Sequence, residues 1–599
     1  MPVNGLPRDA LIHLIRNHCF GQSKWFRYLL VAITQNMTRA TLYLFLLISP
    51  LTILAQDVEQ SIKKIRERWT DKPVQIHGLF QLEGKLNQIK GIERRIDPFS
   101  LQIRASAILD LLGIQAPFQF TYSDGNTLYR LPSYIITGIS PYYRGFTLHA
   151  GDRSMYFSDY SLAGHGFRGI GMEYHKPQGG WFASSFYGRL RRAFSGDLES
   201  RQSLEPSFRR MGYGFKTGYQ NNGNEIAVSL LHIKDRESDL VSSEHPEISP
   251  AENVVLDIQL KKQFGPKWKM EGEIARSLLN RDTRSSELIS GWWDQAFGLF
   301  TPNLTMEKHL AWKGSFSYQI HPRHQIDFYI DHVDPGYRSL GALFFQNDFE
   351  RIGIRTHHAL ARQKLQVHTD LGSERNNLRG FEGNQLRRWR GSLQLQWLMN
   401  TQWQWVGNYS NIRQTNKLFA FNNPSLPVDS IFLAITNQQS QVQTIYQSPD
   451  HKHTLSAFIQ YQDLQQINQE KITDQTSSNW LASVQYGRSC LSNQAMLSIN
   501  LTWNNNRINE ELLSSWSPGL VWNHRKKNWN YTLAWIPSIL PASGEWNYIW
   551  TSRAQCKYQL SKKQFLQFTY RYINRTGKSP AGYPVFSDQT AQVQYQYQF

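Results

Sequence analysis

Apolar and polar residues alternate along most of the chain, with the period of two that a β-strand with two different faces shows. In the last nine residues, Val593, Tyr595, Tyr597 and Phe599 alternate with glutamines. The same alternation recurs around Val228, Ile258, Phe328, Leu395, Ile499 and Phe568. A closed barrel with lipid outside and water inside suits such strands, so the apolar set is predicted to face lipid and the polar set the lumen.

A soluble β-sandwich or propeller also alternates, but three features disfavour it. The predicted strands run about 10–13 residues, longer than the soluble mode of about 5–6. No blade-like repeat is visible. The connections alternate between short turns and long segments, as in outer-membrane barrels with short periplasmic turns and longer external loops.

Residue types typical of tight turns mark the short connections. These turns are predicted at Asn222-Gly223, Gly265-Pro266, Pro322-Arg323, Ala361-Arg362, Asn400-Thr401, Pro449-Asp450, Ser492-Asn493, Arg525-Lys526 and Lys562-Lys563. The longer segments between them include 280–307, 334–346, 506–514 and 539–546.

The sequence predicts an all-β, transmembrane, antiparallel up-and-down β-barrel of about 22–26 strands. Residues 166–599 hold about 21 strands, and termini on one side of the membrane require an even number. Residues 73–165 supply N-terminal barrel strands or a partial internal plug. The strand candidates there are 74–87, 98–110, 115–124, 127–137 and 143–150, of which Pro132 weakens the fourth.

The N-terminal region indicates export. Residues 37–56 combine Arg39, an apolar run and a small residue before Asp57, which is typical of a signal peptide. The run is shorter than the ~20 residues that a spanning helix needs. Residues 1–36 fit a gene-model extension, and 57–72 fit a short periplasmic helical segment.

The chain is basic, with 65 Lys and Arg against 47 Asp and Glu. Removal of 1–56 takes away five basic residues and one acidic residue, which leaves 60 against 46, a net charge of +14. Such a barrel could favour anionic solutes or bind lipopolysaccharide phosphates, although a solvated lumen and loops account for the charge equally simply. Cys490 and Cys556 lie four predicted strands apart, too far for a disulfide.

The glycine- and aromatic-rich segment 151–169 joins two predicted strands on the external side. A loop of this kind could fold into the lumen as a gate. Its candidate residues are Gly151, Asp152, Tyr160, Gly164 and Arg168, and the alternative is an ordinary loop with glycines at tight turns.

Two segments carry a family resemblance. The pattern Gly-Asp-x-x-x-x-x-Ser-x-Tyr-x-Leu-x-Gly from Gly151 to Gly164, with Pro335–Gly341, resembles segments of large outer-membrane barrels of Bacteroidota. That resemblance implies a barrel of unknown cargo and assigns no functional residue. The ending Tyr595, Tyr597 and Phe599 resembles the C-terminal signal that the bacterial barrel-assembly machinery reads.

Seven basic residues are candidates for a basic lumen: Arg189, Arg191, Lys261, Lys313, Arg388, Arg390 and Arg571. Arg189 and Arg191 are predicted to share one strand face. The alternative is that lumen arginines pair with lumen carboxylates and stiffen the wall. Asp331, His332 and Asp334 lie near one external rim, but neighbours in a strand point to opposite faces, which disfavours catalysis.

The favoured function is an outer-membrane transport or secretion channel with a gated, basic lumen, because a barrel of more than about 16 strands encloses water unless it is plugged. The alternatives are a TonB-dependent-type receptor with a reduced plug and a surface-binding adhesin barrel. No enzymatic, metal or cofactor motif appears in a supporting context. The expected partners are outer-membrane lipid, lipopolysaccharide, the barrel-assembly machinery and a periplasmic or surface protein, with no nucleic acid.

Overall fold

The structure is a computed structural model. It describes residues 74–93, 97–111, 114–124, 134–194, 206–237, 248–289, 291–342, 346–380, 384–418, 431–468, 476–490, 494–508, 511–542, 545–577 and 584–599. The extension, signal and helical segment predicted within 1–72 lie outside the described residues, as do Pro132 and the Ser492-Asn493 turn.

The described strands form one antiparallel sheet in which each strand pairs with its neighbours in sequence. The strands of the N-terminal half are β1 Val74–Lys90, β2 Phe99–Leu111, β3 Ile114–Ser123, β4 Tyr134–Ile139, β5 Tyr142–Tyr143, β6 Phe146–Ser154, β7 Gly166–His175, β8 Gly180–Arg191, β9 Arg209–Asn221, β10 Asn224–Arg236, β11 Glu252–Phe264, β12 Trp268–Asn280, β13 Met306–His321, β14 His324–Val333 and β15 Phe349–Leu360. The remaining strands are β16 Leu365–Asn376, β17 Asn384–Leu398, β18 Trp403–Leu418, β19 Ile431–Gln447, β20 His453–Asn468, β21 Thr476–Cys490, β22 Ala495–Ile508, β23 Glu511–Lys526, β24 Trp529–Ala542, β25 Glu545–Ser561, β26 Gln564–Thr576 and β27 Phe586–Gln598. Two 3-10 segments, Ala296–Gly298 and Ala361–Gln363, lie in connections.

The sheet closes into a barrel of 26 strands. Segments β4 and β5 are two parts of one strand, because both pair with β3 on one side and with β6 on the other. The break falls at Ser140-Pro141, where proline cannot donate a ladder hydrogen bond. At the seam, Leu79–Lys90 of β1 pairs with Ser587–Gln598 of β27. The predicted barrel is confirmed. Residues from Gly166 onward form 21 strands, as predicted, and the total of 26 strands is the upper end of the predicted range of 22–26.

The described hairpin turns lie at the predicted residues, with one exception. At the β9–β10 turn, Asn222 and Gly223 have φ of 48° and 79°, as a two-residue hairpin requires. The turn predicted at Arg525-Lys526 is wrong, because Lys526 still pairs with Trp529 and the turn lies at 527–528.

Strand lengths differ between the two halves of the barrel. Strands β17 to β25 have 14 to 17 residues, longer than predicted. The segments 506–514 and 539–546, predicted as long external loops, are therefore mostly strand, and only 509–510 and 543–544 separate the flanking strands.

The outer face of the wall is apolar. Exposed large side chains include Ile170, Ile226, Ile352, Ile499 and Val593, which alternate with polar residues along their strands. Lipid suits such a face, and closure leaves no unpaired strand edge in the bilayer. The fold is that of a bacterial outer-membrane β-barrel. Within the described ranges, no helix is long and apolar enough to cross a membrane.

One external connection folds onto the outer wall. In the loop between β12 and β13, Ala296 and Phe300 bury Val254 and Leu278, which lie on the outer face of the wall. Asp294 of this loop forms ion pairs with Arg276 at 3.2 Å and Lys308 at 2.5 Å. This loop is therefore fixed to the rim by both apolar and charged contacts.

Candidate functional site

Two external loops fold back onto the inner wall and contact each other. We call Met155–His165, between β6 and β7, inner loop 1, and Pro335–Ala342, after β14, inner loop 2. The Tyr337 hydroxyl donates to the Tyr160 carbonyl oxygen at 2.8 Å, and the Ser339 hydroxyl donates to that of Ser161 at 2.5 Å. The Ala163 N–H donates to the Gly341 carbonyl oxygen at 3.2 Å. The two loops thus form one unit.

The inner loops bury apolar residues of the wall. Phe157 and Leu162 of inner loop 1 are fully buried in a cluster with Leu231, Val255 and Val333, which face the lumen. Burial of one such side chain contributes roughly 1.5–3 kcal/mol relative to exposure. An apolar patch of this kind in an aqueous lumen needs a cover, and the inner loops provide it.

Buried hydrogen bonds hold inner loop 1 to β9 and β11, and Ser229 of β10 supports one of them. The Lys216 ammonium donates to the Phe157 carbonyl oxygen at 2.6 Å, and the Gln259 amide donates to the same oxygen at 2.9 Å. The Asp257 carboxylate accepts from Ser158 at 2.7 Å and from Ser229 at 2.5 Å. Because these groups are buried, loss of one partner leaves the other unsatisfied.

The tip of inner loop 1 carries a charged contact. Lys313 on β13 lies between the carboxylates of Asp159 and Glu273, and its distance to Glu273 is 3.0 Å. Burial raises the pKa of Asp159, but hydrogen bonds from Lys313 and Tyr156 outweigh burial, so this pKa lies below its ordinary value. Tyr160 donates to Asp331, and burial together with that carboxylate raises the pKa of the Tyr160 hydroxyl. Asp159 is therefore ionised and Tyr160 neutral at neutral pH.

The predicted gate residues divide between wall and loop. Tyr160 and Gly164 belong to inner loop 1, whereas Gly151, Asp152 and Arg168 belong to β6 and β7. Asp152 and Arg168 form a cross-strand ion pair at 2.7 Å. Gly151 has φ of 92°, and a Cβ there would lie 2.3 Å from the Thr137 carbonyl oxygen, so glycine is required by the wall.

Arg189 and Arg191 do not share a face, which corrects the prediction. A bulge between them makes Arg189 pair with Met211 and Arg191 with Arg210, and these two partners are adjacent in β9. One extra residue in a strand therefore reverses the direction of the side chains that follow. Arg191 points to the lumen beside Asp235, and Arg189 lies on the outer face.

The other predicted lumen cations all lie beside carboxylates. The pairs are Lys261 with Glu225 at 3.1 Å, Lys313 with Glu273 at 3.0 Å, Arg388 with Glu374 at 3.5 Å, Arg390 with Asp370 at 3.2 Å and Arg571 with Asp588 at 3.3 Å. This arrangement favours the alternative in which lumen arginines and lysines stiffen the wall.

The three residues of the predicted barrel-assembly signal lie together at the seam of the barrel. Tyr597 and Phe599 lie at the seam with ring centroids 5.6 Å apart, and Phe599 exchanges two backbone hydrogen bonds with Gly78. Tyr595 pairs with Leu82 and Leu566 across the neighbouring strands. These positions give the three aromatic residues a structural place beside the closure of the barrel.

The acidic and histidine residues at the rim of β14 point to different faces. Asp331 contacts Tyr160 in the lumen, whereas His332 stacks on Trp312 and pairs with Asp334 at 3.2 Å. Among the described residues, no group of three or more His, Cys, Asp or Glu side chains could hold a metal ion.

Sequence reasoning missed the wall residues that hold the inner loops, among them Lys216, Asp257 and Gln259. A signal was present near the external strand ends, where Leu230-Leu231 and Val254-Val255 interrupt the alternation. Two adjacent apolar residues in a strand require cover on both faces, and the structure provides that cover.

No protein-family model and no curated protein matches the sequence. Solved structures with a similar fold include the siderophore receptor PirA from Pseudomonas aeruginosa, with 10% identity over 88% of this chain and 80% of that chain and a TM-score of 0.37. The FrpB iron transporter from Neisseria meningitidis (F3-3 variant) shows 8% identity over 88% and 82%, with a TM-score of 0.34. An anion-selective porin from Comamonas acidovorans shows 10% identity over 58% and 100%, with a TM-score of 0.26. This level of similarity assigns neither an activity nor a cargo to this chain.

Proposed function

We propose that this protein is an outer-membrane transport channel in which the two inner loops act as a gate. The observation that carries the proposal is inner loop 1, whose Phe157 and Leu162 are fully buried on the lumen face. A wall of 26 strands encloses a wide lumen, roughly 50 Å across if circular, for strands about 4.8 Å apart and tilted by about 40°. The inner loops pack against β9 to β14 and narrow this lumen on one side, so a change in their position changes its open area.

The receptor alternative needs a plug. The described residues between 74 and 154 belong to the wall strands β1 to β6 and to the connections between them. The described residues therefore favour the channel over a receptor whose plug would lie between 74 and 154.

Conductance tests the gate. We expect the refolded chain 57–599 to conduct less in planar bilayers than a variant in which a short Gly-Ser linker replaces Met155–Gly164, because the linker leaves the lumen wider. A second test introduces a cysteine pair, Ala163→Cys with Ala342→Cys, in a background without Cys490 and Cys556. Because Ala163 and Ala342 form a β-bridge, the oxidised pair should hold the two inner loops together and keep the gate in its narrow state. Equal conductance of the parent chain and the linker variant would contradict the gate.

A further inference from the structure

A cavity of about 480 Å³ lies beside the inner loops at the external ends of β8 to β12. Its charged lining consists of Arg191, Arg210, Arg281 and Arg338, with Asp235 as the only acidic residue among the described lining residues. Arg210 and Asp235 pair with each other two residues from the pair Gly212 and Ile233, and Ile233 belongs to the lumen-facing cluster, so the cavity lies on the lumen side.

The carboxylates near the cavity do not balance its cations. Arg210 pairs with Asp235 through two hydrogen bonds of 2.8 and 2.9 Å, and Arg191 approaches the same carboxylate at 3.4 Å. Arg281 pairs with Glu307 at 2.5 Å. The Arg338 guanidinium makes no hydrogen bond or ion pair within the described part of the chain. Among the described lining residues and their ion-pair partners, four guanidinium groups meet the carboxylates of Asp235 and Glu307, so positive charge is in excess there.

The electrostatic environment agrees with this count. Burial, with Arg210 and Arg281 nearby, lowers the pKa of Arg338, although Asp235 raises it. Burial also lowers the pKa of His165, and Arg210 and Arg191 lower it further. The region is one in which additional positive charge is unfavourable, and an anion would relieve that repulsion.

We propose that this cavity binds a small phosphorylated or carboxylated solute that enters from the external side. Guanidinium groups donate paired hydrogen bonds to phosphate and carboxylate oxygens, which gives them both strength and direction. The lining also includes Pro206, Ala251, Leu279 and Leu340, which suits a solute with an apolar body beside its anionic group. The volume lies in the range of small-molecule sites.

Inner loop 2 lines the cavity and is also part of the gate. A link between the cavity and gating therefore rests on the proposed function. Arg338 and Leu340 line the cavity, whereas the alternate residues Tyr337 and Ser339 hold inner loop 1. A bound anion therefore acts on the segment that fixes the gate, so occupancy should change how often the channel opens.

Calorimetric titration of the detergent-solubilised full chain with sodium pyrophosphate tests the site without requiring a working gate. We expect binding that Arg338→Gln weakens at least 10-fold. Arg571→Gln, which removes a lumen arginine paired with Asp588 on β27, should leave binding unchanged. Binding too weak to detect at millimolar pyrophosphate, or equal in the Arg338→Gln variant and the parent, would overturn the proposal.

Two further measurements distinguish a free solute from a lipid headgroup, and anion binding from an effect of that binding on the gate. Titration with lipopolysaccharide should show no dependence on Arg338, and such a dependence would replace the solute by a lipid headgroup. Pyrophosphate on the external side should change the open probability of the channel. Binding without that change would keep the anion site and remove its coupling to the gate.

Discussion

The two sides of the barrel line the lumen with different chemistry. Across β9 to β14, buried charged, polar and apolar residues such as Asp257, Ser277 and Leu231 hold the inner loops. Across β18 to β22, one row of paired positions is uncharged and half-buried: Ser410, Gln439, Gln462, Asn479 and Asn506.

The difference suggests that the two sides of the barrel have different functions. A buried carboxylate such as Asp257 needs fixed partners, so a wall of that kind holds a loop in one position. Side-chain amides donate to water and accept from it without a counter-charge, so a wall of amides stays solvated and binds a passing solute weakly. We therefore expect transport along the amide-lined side and regulation on the loop-covered side.

The largest expected effect comes from Phe157→Ala, which removes a fully buried ring from inner loop 1. Docking of the loop should weaken by about 3–5 kcal/mol, measured as faster hydrogen exchange of 155–165. Phe458→Ala, at a half-buried lumen position on the amide-lined side, is the matched control and should leave that exchange unchanged. Equal exchange in both variants would show that apolar burial does not hold the loop.

The next effect comes from Lys216→Met, which removes the donor to the Phe157 carbonyl oxygen. Docking should weaken by about 1–3 kcal/mol, seen as a rise in open probability. Lys261→Met removes a lumen lysine that pairs with Glu225 and should not change gating. A rise in open probability with Lys261→Met would indicate a general effect of lumen charge.

A smaller effect is expected from Tyr337→Phe, which deletes one hydrogen bond between the inner loops and keeps the ring. The expected loss is about 1 kcal/mol, again by hydrogen exchange of 155–165. Tyr570→Phe serves as the control, because its hydroxyl contacts Gln589 at 3.3 Å on the other side of the barrel. No change in either variant would mean that the hydrogen bond from Tyr337 does not help to hold inner loop 1.

The smallest effect is a pH dependence. Because the docked loop lowers the pKa of Asp159 below 3.8, this group stabilises docking above about pH 3.8 and loses that effect as the pH falls through the lowered pKa. The contribution of Asp159 to gating should therefore be constant from pH 7 to about pH 4 and be lost below it. Asp159→Asn should reduce that acid response, and an unchanged response would assign it to other groups.

Most of the wall and the segments of the two inner loops could be singled out from the sequence, whereas the pairing of these loops and the wall residues that hold them could not. Alternation and turn residues such as Asn222-Gly223 are local signals, and they located the strands. The bulge between Arg189 and Arg191 reverses which side chains point to the lumen, and the residue types around it do not indicate a bulge. The contact of Ala163 with Ala342 joins loops far apart in sequence, and strand periodicity carries no information about such a pairing.

The seam between β1 and β27 also constrains the order of folding. Each hairpin joins strands through a short turn, but the seam joins Leu79 to Gln598, and closing a loop of roughly 500 residues has an entropic penalty of about 5–6 kcal/mol. The seam is therefore expected to form last, after the local hairpins. Until then, the open sheet presents two long unpaired edges, so premature contact between two such sheets competes directly with closure of each one.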